Sequence, residues 1–343
     1  MNLDFNNIIL FFIGSFIFTI CFKKRLNIAN YFNLIDRPNQ KRKIHKQDTP
    51  LTGSLSVFIF FIFLSAYNLI FNYQDSALLI IFICSSLIFL IGAYDDKNNL
   101  SPYLKLILIS LIFLIFLISN ENFIIQNVFF SSINKKYIFS QYMGIFITIL
   151  CLLLLINSLN LVDGINSLAN LIVTIWLIYI LFTNDNYLND IFKLLVFFIF
   201  INNFFIYKGK YFLGDSGSLF YASIVGMLAI YNYNILLTQT NESGVENIFI
   251  LFMIPGFDMF RLFIERILKN QNPFSADNNH LHHFLIRIFS LKETLFIYFL
   301  LVVMPIALSF YSNINKLLII ITTAIFYFLL IFILKNFCIK KQK

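Results

Sequence analysis

The chain has 343 residues, of which 59% are hydrophobic and only 12% charged, with a formal net charge of +8. Soluble domains devote about 25% of their residues to charge, so a soluble globular fold is excluded. A mean hydropathy of +0.81 and apolar runs long enough to cross roughly 30 Å of hydrocarbon predict an all-α, polytopic integral membrane protein.

The first apolar run, Ile8 to Phe22, is followed directly by Lys23, Lys24 and Arg25. No basic stretch precedes it and no small-residue cleavage site follows, which predicts a retained helix over 5–22 with its N-terminus outside. Further spans are predicted over 51–72, 76–94, 102–119, 142–158, 165–183, 190–207, 217–233, 246–264, 293–311 and 316–335. That makes about eleven crossings in a single domain, 1–343, with a cytoplasmic C-terminus. The cytoplasmic loops are then 23–50, 95–101, 159–164, 208–216 and 265–292. Of the 25 Lys and Arg residues, only Lys135, Lys136, Lys193 and Lys316 fall outside in this threading, leaving 21 inside, as the positive-inside rule requires. The four cysteines show no CxxC spacing and read as small apolar residues.

Residues able to do chemistry gather in the inner segments. The basic run from Arg37 to Lys46 reads as a topology determinant that also attracts anionic lipid. Asp95-Asp96 ends the third span at a membrane boundary, where ionisable groups are expensive and usually functional. Adjacent acids repel, so a cation or a shared proton must stabilise the pair; a solvated loop start is the alternative. Asn157, Asn160 and Asp163 are spaced by three at a helix end and form one hydrogen-bonding face, or a structural cap. Gly214-Asp215-Ser216-Gly217-Ser218 opens a helix, where glycines let backbone N–H groups approach a phosphate while the carboxylate holds Mg²⁺. His280, His282 and His283 lie within four residues; imidazoles bind metals or donate to phosphate oxygens, and His280 and His283 would share a helical face. Separated acids, clustered imidazoles and a basic surround suit two phosphorylated substrates held with a hard divalent cation.

These motifs resemble those of the polyprenyl-phosphate N-acetylhexosamine-1-phosphate transferases, integral membrane enzymes of glycosyltransferase family 4. The resemblance runs from Asp36 to His283. It covers D-x-P…R-K-x-H…P (Asp36 to Pro50), D-D-x-x-x-L-S-P-x-x-K (Asp95 to Lys105) and N-x-x-N-x-x-D-G (Asn157 to Gly164). It continues through F-x-G-D-S-G-S (Phe212 to Ser218) and P-x-x-D…R…P-F-x-x-D-x-x-H-x-H-H (Pro255 to His283). The H-x-H-H spacing is similar to the O-antigen and common-antigen branch, more than to the phospho-MurNAc-pentapeptide translocase, whose histidines are consecutive. Four positions depart from the family: Ser54 and Ser167 stand where glycines are usual, Ile109 replaces a glutamine, and Phe205 replaces an asparagine for which Asn203 is the neighbouring substitute.

The resemblance implies transfer of an N-acetylhexosamine-1-phosphate from a UDP-sugar to undecaprenyl phosphate at the cytoplasmic face of the inner (plasma) membrane, releasing UMP. It implies Mg²⁺ or Mn²⁺ as cofactor, the lipid bilayer as setting, a homodimer and no nucleic-acid partner. Asp215 is assigned to the metal, and Asp95 and Asp96 to the lipid phosphate as base or metal support, with Asp95 a metal ligand. Asn160 and Asp163 go to the nucleotide, His280, His282 and His283 to the pyrophosphate, and Lys46 and Lys105 to phosphate. Asn157, Phe212 and Arg266 complete the substrate-binding set. The competing class is a transporter or flippase of lipid-linked sugars, which needs ionisable groups spread through the midplane; here the acids collect at one face.

Overall fold

The computed structural model describes residues 5–38, 47–71, 76–183, 187–239, 244–273 and 277–342. Among them are the helices α1 (Phe5–Phe32), α2 (Leu55–Phe71), α3 (Ser76–Asn98), α4 (Pro102–Ser119), α5 (Gln141–Val162) and α6 (Leu168–Phe182). Then follow α7 (Tyr187–Tyr207), α8 (Gly214–Gln239), α9 (Val245–Leu268), α10 (Leu281–Ile288), α11 (Leu291–Tyr311) and α12 (Lys316–Gln342). Two antiparallel pairs accompany them: β1 (Ile35–Asp36) with β2 (Thr49–Pro50), and β3 (Asn127–Phe130) with β4 (Lys135–Ile138).

In hydrocarbon a spanning segment must satisfy its own backbone, which is why apolar runs become helices. Each of the eleven predicted spans overlaps a helix, with 51–72 and 165–183 reaching past the ends of α2 and α6. Seven helices among the described residues, α3, α4, α5, α8, α9, α11 and α12, are long and apolar enough to cross a membrane, and α2, α6 and α7 carry shorter apolar stretches. The chain is thus a helical, multi-pass membrane protein. The sequence reading has no counterpart for α10 or for the β3–β4 hairpin. The hairpin is held by tertiary contacts that hydropathy does not register: the Phe129 N–H donates to Tyr233 Oη (2.9 Å), and buried Glu246 accepts the N–H groups of Ser131 (3.1 Å) and Ser132 (2.8 Å). Cys21, Cys84 and Cys338 are buried and Cys151 is exposed on α5; all four are free thiols.

The chain divides into two compact units. The first comprises the described parts of Met1–Asn120 and Leu177–Leu228, the second those of Glu121–Trp176 and Ala229–Lys343. In the first unit α1 packs on α2, α2 on α3 and α7, and α3 on α4. Its core is aromatic. Phe58 stacks on Phe89 at 3.6 Å between ring centroids, and Phe220 meets Phe58 and Phe61 edge-on at 5.4 and 5.3 Å, the edge-on contacts being the geometry that the ring quadrupole favours. In the second unit α9 packs against α5, α11 and α12, and α10 lies against α11 and α12. Pro255 interrupts the α9 ladder, since it has no N–H to give the Leu251 carbonyl one turn earlier. The buried Trp176 indole replaces it, with Nε1 donating to Leu251 O at 2.8 Å.

Candidate active site

In the first unit the chain between α3 and α4 builds a tight turn from its own motif. Asn99 takes a positive φ of 51° to end α3, Ser101 caps α4 by accepting the Leu104 N–H, and Pro102 supplies a pre-set φ at the first position. Asp95 Oδ1 accepts the Leu100 N–H within this turn. One turn into α4, Lys105 Nζ returns to Asp95 Oδ2 at 2.7 Å and reaches Asp215 Oδ2 at 2.6 Å. A single ammonium thus bridges two carboxylates 120 residues apart, the Asp95 side chain 8% exposed and that of Asp215 31%.

Asp96 has a different task. Its Oδ1 accepts the Asp215 N–H at 2.8 Å and its Oδ2 the Ser216 N–H at 3.0 Å, so a carboxylate from α3 caps the first turn of α8, where orphan donors and the helix dipole favour negative charge. Gly214 makes this possible. Its φ is +74°, and a Cβ there would lie 2.7 Å from Asp96 Oδ2. Phe212 contributes through its backbone: its N–H donates to Pro50 O and its carbonyl accepts from Gly53, both at 2.9 Å, extending the β1–β2 pair to the start of α8. Ser54, at a family glycine position, lies 3.3 Å from Ser216 hydroxyl to hydroxyl. Phe205 joins an aromatic cluster with Phe22 (4.4 Å) and Phe18 (5.5 Å). The buried amide is Asn202 and not the half-buried Asn203: its Nδ2 donates to Gly53 O (2.6 Å) and its Oδ1 accepts from Tyr211 Oη (2.6 Å).

In the second unit α5 ends at Asp163, whose N–H returns to the carbonyls of Leu159 and Asn160. Asn157 Nδ2 donates within the helix to Leu153 O. The chain then turns through Ser167, buried at φ +78°. Side chains other than glycine pay about 1–2 kcal/mol there, a backbone reason for the glycine usual in the family. Gly164 lies against the histidines: a Cβ on it would run into His282 Nε2 and sit 3.2 Å from His283 Nε2. The D-G and H-x-H-H motifs are therefore brought together.

The three imidazoles form one cluster, with ring centroids 4.2 Å apart for His282 and His283, 5.5 Å for His280 and His282, and 6.2 Å for His280 and His283. His280 stands before α10 as its N-cap, with ψ 154°, and not on its face. Its Nδ1 lies 2.9 Å from Asp258 Oδ2. Burial holds His282, whose ring nitrogens have no hydrogen-bond partner among the described residues, well below the usual imidazole range, and its imidazole neighbours add to this. Burial, then His280 and Arg287, push His283 down to about 4. Both are neutral at pH 7. An unfolded chain takes up these protons near pH 6.5 and the folded chain does not, so stability is present above about pH 6.5 and falls as pH drops towards about 4. The thermal midpoint of the purified protein should fall by several degrees across that window, and His283→Gln should flatten the dependence.

Asp258, Arg261 and Tyr327 complete the cluster; Asp258 is the acid of the P-x-x-D motif, but none of the three is among the residues given a role from the sequence. The first two carry a signal, being opposite charges three residues apart inside an apolar helix; Tyr327 carries none. Arg266, in the last turn of α9, ties down the loop before α10, with Nε donating to Asp277 Oδ2 (3.0 Å) and Nη1 to Pro273 O (2.7 Å). Lys46 lies outside the described residues.

A divalent cation fits the first cluster. Asp95 and Asp215 already share one cation, offer the hard oxygens such ions prefer, and Mg²⁺ is commonly held by one or two carboxylates with the rest of its shell from water and phosphate. Among the described residues no group of three or more His, Cys, Asp or Glu side chains is placed to hold a metal ion, so water and phosphate would have to supply that remainder.

Residues 78–233 match the family described as Glycosyl transferase family 4. A probable undecaprenyl-phosphate N-acetylglucosaminyl 1-phosphate transferase of Bacillus subtilis is 30% identical over 269 residues, 75% of this chain and 70% of that protein. The undecaprenyl-phosphate alpha-N-acetylglucosaminyl 1-phosphate transferases of Yersinia pestis and Escherichia coli O157:H7 are 27% and 26% identical, covering 99% and 96% of this chain and 93% and 90% of theirs. With ordered motifs, acid and imidazole clusters, and these relatives in agreement, the chain belongs to glycosyl transferase family 4.

Proposed function

We propose that the protein transfers an N-acetylhexosamine-1-phosphate, N-acetylglucosamine-1-phosphate being the best-supported case, from a UDP-sugar to undecaprenyl phosphate, releasing UMP and starting a lipid-linked glycan. The observation that carries this reading is the convergence of Asp95, Asp215 and Lys105, two carboxylates sharing one ammonium, in a membrane protein whose relatives bear that name. The setting is the plasma membrane, crossed eleven times, with the N-terminus outside and the site on the cytoplasmic face; the lysine and arginine distribution supports this. A homodimer of the single domain is the working assembly.

Asp215 and Asp95 would hold Mg²⁺ or Mn²⁺, which when bound neutralises phosphate charge. The attacking group is a phosphate monoester oxygen, already charged near neutral pH, so positioning and charge neutralisation outweigh proton removal. Asp96 fixes the start of α8 and thereby Asp215. Lys105 offers its ammonium to a phosphate, with Lys46 as a second cation. Asn160 and Asp163 take the nucleotide, Asn157, Phe212 and Arg266 belong to the substrate-binding set, and the three histidines serve the pyrophosphate.

Membranes containing the protein, given radiolabelled UMP and the lipid pyrophosphate product, should regenerate labelled UDP-sugar. A transporter catalyses no such exchange, and its absence with every UDP-N-acetylhexosamine tried overturns the reading.

A further inference from the structure

The carboxylate of Asp258 is 1% exposed and fully engaged. Its Oδ1 accepts from Tyr327 Oη (2.7 Å), Arg261 Nη2 (2.8 Å) and the Leu281 N–H (3.1 Å), while its Oδ2 faces His280 Nδ1 at 2.9 Å. A carboxylate between a guanidinium and a phenol donor is an acceptor only, so the proton of that last bond sits on His280 Nδ1. Arg261 is itself tied down: Nε donates to Tyr327 Oη (3.1 Å), Nη2 to Asn279 O (2.7 Å) and Nη1 to Glu265 (2.9 Å). Tyr327 is 0% exposed and comes from α12. Elements from α9, α10 and α12 thus meet on one carboxyl group next to one imidazole, a satisfied buried network of the kind that specifies a single arrangement.

His280 differs from its neighbours in this respect. Among the described residues the ring nitrogens of His282 have no partner, whereas the orientation and tautomer of His280 are imposed from behind, as a carboxylate does for metal-bound or catalytic imidazoles. We propose that Asp258, fixed by Arg261 and Tyr327, is the positioning carboxylate of His280: it keeps the proton on Nδ1 and leaves Nε2 as the nitrogen presented to substrate phosphate. Nε2 is thereby left as the lone-pair nitrogen, which accepts from a protonated phosphate oxygen or from a water bound to it. This rests on the reading that His280 serves the transferred phosphates.

Asp258→Asn tests it in a specific way. Three donors surround the Oδ1 position, so the asparagine must place its carbonyl there and turn its NH₂ towards His280 Nδ1. The ring is then forced into the other tautomer, with the proton on Nε2. Ring-nitrogen NMR of the full-length protein in detergent, with His280 assigned by a His280→Gln spectrum, should show the inversion. UMP release from UDP-N-acetylglucosamine and undecaprenyl phosphate should show kcat lowered about 10- to 100-fold with KM nearly unchanged. An unchanged tautomer, or turnover equal to wild type, overturns the proposal. Tyr327→Phe is the second variant should Asp258→Asn not accumulate. It removes one donor from Asp258 and makes the carboxylate a stronger acceptor, so the His280 Nδ1 proton resonance should move downfield, and an unmoved resonance overturns the proposal. If wild-type protein turns over no UDP-N-acetylhexosamine, the functional reading fails while the ring spectra still decide the role of Asp258.

Discussion

Replacing Asp215 by alanine should lower UMP release at least about 10³-fold while the protein still accumulates in membranes. Asp215 is the more open of the two acids that share Lys105, its side chain 31% exposed, so shortening it empties no packed core. Its loss leaves the ammonium with Asp95 alone and removes the more exposed of the two carboxylates, the one at the start of α8. What disappears is charge control over two phosphorylated substrates that repel each other, a contribution that positioned cations make at the 10³ level or above in phosphoryl transfer. Metal-dependent turnover in membranes, normalised to protein amount, is the measurement; a normal rate removes Asp215 from the reaction.

Asp96→Asn should lower turnover about 100-fold or more for a separate reason. Both Asp96 oxygens are committed to the N–H groups of Asp215 and Ser216. Asparagine has one acceptor oxygen, so its NH₂ must confront an N–H, and the first turn of α8 shifts with Asp215 on it. Asp96→Ala goes further and leaves two donors without their charged partner, at about 1–3 kcal/mol each, so its thermal midpoint should fall while that of Asp215→Ala does not. A rate independent of pH between about 6 and 9 in wild type would assign the effect wholly to positioning and none to proton removal. Wild-type turnover in Asp96→Asn would show that the cap is dispensable.

The acids of both clusters are legible in the sequence because ionisable groups at helix ends of an apolar chain stand out against their background. The α3–α4 turn is legible too, through the Ser101 cap and Pro102. The partners are not. Tyr327 is one of 17 tyrosines and meets Asp258 across 69 residues of sequence, so no local pattern marks it. Asn203 and Asn202 are adjacent in a helix and differ only in which side faces the packed core, which a departure from motif spacing cannot resolve. Ser167 shows the converse: its positive φ explains why glycine is usual at that place. The β3–β4 hairpin and α10 are too short for hydropathy windows to find, and they owe their form to Glu246, Tyr233 and the helices around them.

Trp176 gives the protein a native optical reporter. It is the chain's one tryptophan, sealed from solvent and bonded to the Leu251 carbonyl that Pro255 leaves unpaired, about two turns before Asp258 on the same helix. Excited at the red edge of the protein band, the chain emits from a single indole clamped to α9. Its wavelength and lifetime are therefore set by the helix that positions His280, and ligand-driven movement of that helix can be followed without attaching a label.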